Sequence, residues 1–358
     1  MSTTHDEADW RRDAMAALQA YDVDVVRVTR VAQGLINLTV KVETRSQGAL
    51  ILQRLHSSFS DAVNRNLARI TEHLERRGLL TPKLIRTTTG DFSIAVDDRI
   101  WRALTFIDGR ALDAFQSPAQ AREAGRLLAR LHTSLSDFKE DLLGVRPPVH
   151  DLARHLNHLR EVRSDNHSHR LSVAVGRMAD ELELLIAAIP PFDPGRTGLV
   201  HGDAKISNIL FARENDAALC FVDLDTFATM PLAYELGDAM RSWCNPAGED
   251  FPDPSFNLET FAAALRGYGD VAGRVGMLDA LENVAPATLQ IYLELSTRFL
   301  ADAVEESYFG WDPKRFSSRG EHNLARAGNQ MQAGKDLLAH LAGAQSLVGR
   351  IIAGASAD

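Results

Sequence analysis

Two short apolar segments that end in polar side chains constrain this chain more than any other feature. The first is the run 199–211, LVHGDAKISNILF, and the second is the run 221–225, FVDLD, which follows it closely. Each can form a buried strand, interrupted or ended by acids and an amide that a protein core would exclude unless they served chemistry. We therefore expect two neighbouring turns to bring Asp203, Asn208 and Asp223 together.

The spacing of polar residues in the first run is that of a kinase catalytic loop. In the pattern His-x-Asp-x-x-x-x-Asn, the aspartate accepts the proton of the substrate hydroxyl and the asparagine holds a magnesium ion. We predict Asp203 as the catalytic residue, and Asn208 and Asp223, helped by Asp225, as ligands of Mg²⁺. Magnesium prefers oxygen ligands and keeps several waters, so an amide and a carboxylate completed by the phosphates of ATP suffice. For His201 we expect a hydrogen-bonding role in the loop rather than proton transfer.

Several motifs together resemble one superfamily. The HGD triplet at 201–203 with Asn208, the run VDLDT at 222–226 and the run GDAMR at 237–241 resemble the aminoglycoside phosphotransferase and choline kinase superfamily. Further likeness is found around residues 34–37, 51–55, 298–302 and 308–309, and it resembles most the branch that contains the N-acetylhexosamine 1-kinases. The resemblance covers about residues 30 to 335.

The resemblance implies an α+β, bilobal, protein-kinase-like fold. Residues 1–107 are expected to form the N-terminal lobe, a small antiparallel sheet with helices that covers the nucleotide. Residues 108–358 are expected to form a larger, mainly helical C-terminal lobe with the catalytic loop, the metal site and the acceptor region. The length of 358 residues alone suggests two domains or one two-lobed unit.

Composition narrows the classes of partner. A hydrophobic content of 45% and a charged content of 24% are ordinary for a globular protein. The net charge of −9 predicts no basic surface for nucleic acid or an anionic membrane, so the expected partners are a nucleotide and a small-molecule acceptor. Cys220 and Cys244 are expected to be free buried thiols. The polar, acidic start and the lack of an apolar run near the ~18 residues of a membrane span predict a cytoplasmic protein.

The N-terminal region predicts an opening helix over 6–20 that covers the edge of a small sheet, then strands over 23–31, 35–43 and 49–53. The resemblance implies that the turn at Gly34 lies over the phosphates. Asn37, just beyond, is expected either to direct its amide at a phosphate or to be satisfied by its own backbone in the turn.

The third strand departs from the kinase pattern, because it has no lysine to pair with the phosphates. Gln53 aligns with that position, and Arg54 beside it points to the opposite face of the strand. A helix over 60–78 places Asn66 where the glutamate partner of the lysine would stand. We expect Gln53 to pair with Asn66 and to donate its amide to a phosphate.

A strand over 79–86 and a longer strand over 99–107 follow. In the resembling family the end of the longer strand joins the lobes, and adenine bonds to backbone groups there. By their position alone, we therefore expect the backbone groups of Thr105, Phe106 and Ile107 to contact adenine.

The remainder of the chain predicts helices from Ser117 onward, including 150–162, 171–189, 232–243, 258–268, 277–307 with a break at Pro286, and 321–343. Asp238 and Arg241 are expected to form an ion pair that either braces the catalytic loop or lies in solvent. The resemblance nominates Arg298 and Tyr308 for contacts with acceptor hydroxyls, with a salt bridge from Arg298 to Asp302 as the alternative.

The sequence thus predicts an ATP- and Mg²⁺-dependent kinase of small molecules. The resemblance implies the anomeric hydroxyl of an N-acetylhexosamine or a related sugar as the acceptor. The alternatives are an aminoglycoside kinase that confers antibiotic resistance, a kinase of another small alcohol such as choline or homoserine, and a pseudokinase-like nucleotide-binding module.

Overall fold

The structure, a computed structural model, describes residues 3–31, 37–56, 61–144 and 149–356. The chain separates into two compact units, Met1–Asp108 with Asp137–Arg146, and Gly109–Ser136 with Pro147–Asp358. The sequence predicted a boundary after residue 107 and therefore assigned 137–146 to the C-terminal lobe. In the structure these residues group with the first unit.

The described part of the first unit is built on an antiparallel sheet with two helices. Its strands are β1 (Val25–Arg30), β2 (Leu38–Thr44), β3 (Ala49–Arg54), β4 (Leu84–Ile85), β5 (Ile94–Val96) and β6 (Arg99–Thr105), and its helices are α1 (Thr3–Leu18) and α2 (Ala62–Arg76). The strand order is β1-β2-β3-β6-β4, with β5 paired to β6. The strand expected over 79–86 is reduced to the two residues of β4, and β5 was not expected.

Helix α1 lies on a face of this sheet, whereas the sequence had suggested that it covers an edge. Trp10 and Ala14 of α1 belong to one buried cluster with Val40, Leu52 and Trp101 of the central strands. Alternate residues of neighbouring strands point to the same face, so these three side chains form an apolar surface that the helix buries. Burial of such a surface is what holds a small sheet together.

The second unit is mainly helical. Its helices are α3 (Pro118–Leu135), α4 (Leu152–Asp165), α5 (Ser172–Ala187), α6 (Leu232–Trp243), α7 (Leu258–Ala272), α8 (Val284–Glu305) and α9 (Arg319–Ala355). Its strands form two small antiparallel pairs, β7 (Thr197–Val200) with β10 (Ala228–Pro231), and β8 (Ile209–Phe211) with β9 (Ala218–Phe221). An antiparallel sheet followed by a mainly helical remainder confirms the predicted α+β, protein-kinase-like fold class.

Two helices of the second unit differ from their predicted bounds. Pro286 does not break a helix, because it lies in the first turn of α8, just after the N-cap Asn283. A proline is tolerated there, since the first turn has no partner for its missing N–H. Helix α9 continues past Gly343 to Ala355, because Leu341, Ala344, Val348 and Ile351 extend its buried stripe.

Helix α9 also bears on the expected lack of a membrane span. It contains an 18-residue window with a mean hydropathy of 1.2, so among the described residues one helix is long and apolar enough to cross a membrane. This is weak evidence, because the core helix of a globular protein passes the same test. The helix carries one buried stripe at helical spacing, and Ile351 and Ala355 contact Gly269 of α7. The cytoplasmic location stays a prediction.

Candidate active site

Strand pairing places the two polar loops of the second unit side by side. Val200, at the end of β7, pairs with Ala228, at the start of β10. In the chain segment that connects β7 to β10, the backbone N–H of Val222 donates to the carbonyl of Asn208 at 2.8 Å. The ring Nε2 of His201 donates to the carbonyl of Val222 at 3.0 Å. The loop after β7 and the loop after β9 therefore run next to each other.

Gly202 shows how closely the two loops approach. Its φ of +83° lies in the left-handed region, and a Cβ built there would stand 2.1 Å from the carbonyl oxygen of Thr226. A side chain of any size would force these backbones apart. Glycine is required at 202 both for the turn and for the contact with the second loop.

The predicted catalytic loop brings Asp203 and Asn208 into direct contact. A single 3₁₀ turn, Ile206–Asn208, carries the chain back so that the Asn208 Nδ2 donates to Asp203 Oδ2 at 3.0 Å and to the Asp203 carbonyl at 2.9 Å. The Asp203 side chain is 25% exposed, whereas Asn208 is buried. A half-open carboxylate held from one side by a buried amide is suited to contact a substrate.

Lys205 is a residue of this loop that the sequence reasoning missed. Its Nζ donates to the same Asp203 Oδ2 at 2.5 Å. Burial lowers the pKa of Lys205, but the charges of Asp203, Asp223 and Glu249 outweigh it, so the pKa stays raised and the amine stays a cation. The available signal was the lysine two residues after the aspartate in the run HGDAK.

The second loop supplies two further carboxylates. Asp223, just beyond the end of β9, has a left-handed backbone (φ 60°, ψ 54°), which is uncommon for a residue with a side chain. Asp225 is buried in the 3₁₀ turn that follows, Leu224–Thr226. Asp223 acts on Lys205 and Asp225 acts on His201 electrostatically, so both carboxylates lie near the catalytic loop.

The donor set fits the predicted Mg²⁺. The amide nitrogen of Asn208 is turned to Asp203, which leaves the amide oxygen at the other end of the group, and Asp223 and Asp225 supply carboxylate oxygens. These are the hard oxygen donors that magnesium prefers. Within the described parts of the chain no group of three or more His, Cys, Asp or Glu could hold a metal ion. An ion held by Asn208, Asp223 and Asp225 would complete its coordination with phosphates and water.

His201 has the structural role expected from the sequence. It is fully buried between the rings of Phe221 and Phe227. Its Nδ1 accepts the backbone N–H of Asp203 at 3.3 Å while Nε2 donates to the carbonyl of Val222. Burial lowers the pKa of His201, so the ring is neutral with its proton on Nε2.

Helix α6 holds the catalytic loop from behind. The two side-chain oxygens of Glu235 accept the backbone N–H groups of His201 and Gly202, each at 3.0 Å. Burial, and next the charge of Asp238, raise the pKa of Glu235 to about 8. Trp243, at the other end of the helix, donates its ring N–H to the carbonyl of Ala204 at 2.9 Å. Sequence alone gave no sign that Glu235 is buried, because a first-turn glutamate is ordinarily exposed.

The ion pair of Asp238 and Arg241 is buried, so the alternative in which it lies in solvent is wrong. Arg241 donates from Nε at 3.0 Å and from Nη2 at 2.9 Å to Asp238 Oδ1, and its Nη1 contacts Glu249. The two side chains are only 4% and 10% exposed. Burial alone would raise the pKa of Asp238, but Arg241 holds it below its ordinary value.

In the first unit, the predicted pairing of Gln53 with Asn66 is wrong. Gln53 Oε1 instead accepts from Arg102, from Nε at 3.1 Å and from Nη2 at 2.7 Å, and Arg102 also donates to Asn64 at 3.2 Å. Asn66 bonds the backbone of Leu143. Asn64 lies half a turn before Asn66, so a different face of α2 meets the sheet. The buried Arg102 on β6 supplies a cation next to the position where β3 lacks one.

The other nominated nucleotide residues also lie in the first unit. Asn37 uses its side-chain oxygen to accept the N–H of His56 at 2.9 Å, a bond to a distant segment that neither alternative predicted. Gly34 lies outside the described residues. Thr105 donates its N–H to the carbonyl of Lys83 at 2.8 Å, so its N–H is already used. Phe106 and Ile107 follow the end of β6, and the amine of Lys41 stands 4.6 Å from the ring centre of Phe106.

Arg298 and Tyr308, the nominated acceptor residues, contact each other. The Arg298 guanidinium lies 6.0 Å from the ring centre of Tyr308 and 5.4 Å from that of Phe309. The alternative salt bridge to Asp302 does not form among the described residues, because the Asp302 carboxylate accepts the backbone N–H groups of 307–309. No contact in the described part of the chain joins Arg298 or Tyr308 to Asp203.

The antiparallel-sheet unit, the helical unit and the paired polar loops together define a small-molecule kinase of the protein-kinase-like phosphotransferases. Residues 27–274 match the phosphotransferase enzyme family, APH, and the chain belongs to this family. The protein is a phosphotransferase with an alcohol group as acceptor. Membership confirms the superfamily predicted from the motifs, while the N-acetylhexosamine branch receives no support.

Related proteins agree with this assignment, and solved structures share the fold. The chain is 28% identical over 255 residues to a homoserine kinase of Methylobacterium radiotolerans, covering 70% of this chain and 74% of that protein. It is 27% identical over 265 residues to a homoserine kinase of Beijerinckia indica, covering 72% and 76%. Its fold is similar to that of amicoumacin kinase hAmiN (TM-score 0.61, 16% identity, 93% and 96% covered). It is also similar to that of a microcompartment-associated aminopropanol kinase (TM-score 0.61, 17% identity, 93% and 98% covered).

Proposed function

We propose that this protein transfers the γ-phosphate of ATP to the side-chain hydroxyl of homoserine, giving O-phosphohomoserine and ADP. The observation that carries the proposal is the contact of Asp203 with Asn208 beside the Asp223 loop. Relatives named homoserine kinase, matched over about three quarters of their length, support the choice of acceptor. They favour the homoserine alternative over the sugar acceptor predicted from the outer motifs.

Asp203 would align the alcohol and accept its proton. Two donors, Lys205 and Asn208, both bind Oδ2, and Oδ1 accepts no hydrogen bond within the described residues. The carboxylate is thereby fixed in rotation, with Oδ1 left for the hydroxyl group. The hydroxyl oxygen attacks the γ-phosphorus, its proton passes to Asp203, and ADP leaves.

Lys205 would supply positive charge at the reacting centre. A partly exposed amine that keeps its proton beside Asp203 can interact with the phosphoryl group while that group carries extra negative charge between donor and acceptor. Its contact with Asp203 also keeps the carboxylate and the cation at a fixed separation, so no side chain has to reorganise during transfer.

The metal and nucleotide residues remain part of the proposal. Asn208 and Asp223, with Asp225, would hold Mg²⁺, which supplies charge neutralisation on the phosphates when bound. In the first unit, the backbone of Phe106 and Ile107 would contact the base. Thr105 would contribute only its carbonyl, because its N–H is used by Lys83.

Phosphorus NMR of ATP turnover against a panel of acceptors tests the proposal. The panel contains homoserine, N-acetylglucosamine, N-acetylgalactosamine, choline and kanamycin, each with ATP and Mg²⁺. We expect a phosphate monoester signal with homoserine and only slow background hydrolysis with the others. Turnover of a sugar or of kanamycin without turnover of homoserine would refute the proposed acceptor.

A further inference from the structure

A second feature of the helical unit is a cavity of about 340 Å³ that the loop contacts above do not explain. Its walls come from the loop after α6, from the segment before α9 and from the first turns of α9. Charged and aromatic side chains line it: Glu249, Asp250, Phe251, Arg315, His322 and Arg326.

Helix α6 links the cavity to the catalytic loop. Helix α6 holds that loop through Glu235 and Trp243, and the chain runs on from α6 directly into the cavity wall. Glu249 contacts Arg241 at the end of α6, and its charge is among those that raise the pKa of Lys205. The Glu249 side of the cavity is therefore the side nearest to Lys205, which itself contacts Asp203.

One wall of the cavity is a fixed ionic cluster. Asp250 Oδ1 accepts from Arg326 Nε at 2.5 Å and from His322 Nε2 at 3.0 Å. Arg326 and His322 are only 6% and 2% exposed, whereas Asp250 is 40% exposed. Burial and then the charge of Arg326 lower the pKa of His322, so the ring is neutral at physiological pH. The pKa of Asp250 is lowered by Arg326 against the effect of burial, so its carboxylate is ionised.

Arg315 forms a second, pre-arranged cation. Its Nη2 donates to the Asp250 carbonyl at 2.6 Å, and its guanidinium lies 4.6 Å from the ring centre of Phe251 and 5.5 Å from that of Phe316. A planar guanidinium held between rings loses little freedom when it binds a carboxylate in two-point fashion.

Several polar atoms in these walls are available to a ligand. Within the described parts of the chain, Arg315 keeps Nε and Nη1, Arg326 keeps Nη2, and Glu249 and Asp250 each keep one carboxylate oxygen without a hydrogen bond. The cavity thus offers both donors with positive charge and acceptors with negative charge.

The balance of charge selects the kind of molecule. Two carboxylates face two guanidiniums around the cavity, and the bordering Asp238 and Arg241 also cancel. A polycationic antibiotic would need an acidic excess, and a neutral sugar would not repay the desolvation of four ionised groups. A zwitterion pairs with both signs at once.

We propose that this cavity is the acceptor site and that it recognises both charges of a hydroxylated α-amino acid. Arg315 and Arg326 bind the α-carboxylate, Glu249 and Asp250 bind the α-ammonium, and the side-chain hydroxyl is left for Asp203. This assignment rests on the proposed function and adds the residues that choose the substrate.

Steady-state kinetics with three alcohols test the assignment. Homoserine carries both charges, 3-amino-1-propanol lacks the carboxylate, and 4-hydroxybutyrate lacks the ammonium. We expect wild-type kcat/KM to be at least about 100-fold higher for homoserine than for either analogue. Arg315→Gln is expected to raise the KM for homoserine by at least about tenfold and to leave that for 3-amino-1-propanol unchanged.

Glu249→Gln is the complementary variant, and it tests the assignment by itself if Arg315→Gln does not fold. It is expected to raise the KM for homoserine and for 3-amino-1-propanol and to leave that for 4-hydroxybutyrate unchanged. Arg350→Gln, at an exposed arginine of α9, is the control for loss of a surface charge. Circular dichroism and the melting temperature confirm folding of each variant.

The outcomes separate the two proposals. The wild type could turn over homoserine while the variants show no change in KM, or a change that is the same for all three alcohols. Either result would overturn the assignment of the cavity and leave the proposed function standing. A wild-type preference for either singly charged analogue would also overturn it. Turnover of none of the three alcohols by the wild type would refute the proposed function itself.

Discussion

The side-chain amide of Asn208 and the carboxylate of Asp203 are joined by a hydrogen bond of 3.0 Å from Nδ2 to Oδ2. Lys205 reaches the same oxygen, so one face of the carboxylate is held by two donors. The same bond turns the nitrogen of Asn208 toward Asp203 and its oxygen away. One contact thus orients both the proposed base and a proposed metal ligand.

Loss of the Lys205 charge should slow the chemical step. Lys205→Met is expected to lower kcat by about 100-fold, because it removes positive charge near the transferring phosphoryl group. Lys205→Arg keeps the charge and is expected to retain much more of the activity. The measurement is kcat and KM for homoserine and ATP in both variants. Equal activity of the methionine variant and the wild type would contradict this role.

Gly202→Ala should inactivate the protein by separating the two loops. The new Cβ would stand 2.1 Å from the carbonyl oxygen of Thr226, in a backbone conformation that disfavours side chains. Gly195→Ala is the matched control, because Gly195 has φ of +71° but nothing within 4 Å of its Cβ position. We expect about 1 kcal/mol of destabilisation for the control and a larger loss, with little remaining activity, for Gly202→Ala. Similar effects of the two changes in thermal melts and turnover would argue against the close contact.

Glu235 should make stability depend on pH. Burial raises its pKa in the folded protein to about 8 from the ordinary value of 4.5, so the folded state binds the proton more tightly than the unfolded state. Its contribution to the free energy of unfolding is therefore complete below about pH 4.5 and is lost as the pH rises through about 8.

Glu235→Gln removes this titration and provides the comparison. The difference in free energy of unfolding between the wild type and the variant, measured by urea denaturation, should fall from about pH 5 to about pH 9. The variant should also lose kcat, since an amide presents a donor to one of the two backbone N–H groups of the loop. A difference that stays constant over this range would contradict the assignment.

Substitution of Gln53 by lysine and by glutamate should have different effects on stability. Gln53→Lys would place a second cation against the buried Arg102 and is expected to destabilise the protein by about 3 kcal/mol. Gln53→Glu would give Arg102 a carboxylate for its two donors and is expected to be the more stable variant. Thermal unfolding of both compares them directly. A lysine variant as stable as the glutamate variant would show that Arg102 does not occupy this place.

The catalytic loop was predictable because its residues are close in sequence. The residues from His201 to Asn208 form one short loop, so the spacing of the polar residues alone indicated that they would meet. The short apolar run before Asp223 likewise indicated a strand end. Local structure of this kind depends little on the remainder of the chain.

The surroundings of the site could not be predicted, because they depend on packing between distant segments. Glu235 lies 33 residues after Gly202, whose N–H it accepts. Arg102 lies 49 residues after Gln53, to which it donates. Two residues along a helix correspond to a rotation of about 200°, so Asn64 and Asn66 point to nearly opposite faces of α2. The rotation of α2 about its own axis therefore decides that Asn64, rather than Asn66, meets the sheet. The cavity beside α9 needed the full chain path, since its walls join the loop at 249–254 with residues beyond 314.

The rate of phosphate transfer to homoserine by Asp203→Asn tests the central claim most directly. Asparagine keeps the shape of the side chain but cannot accept the hydroxyl proton, so we expect a folded protein that still binds ATP and Mg²⁺ and loses at least about 100-fold in the single-turnover rate. A variant that forms O-phosphohomoserine at the wild-type rate would contradict the account.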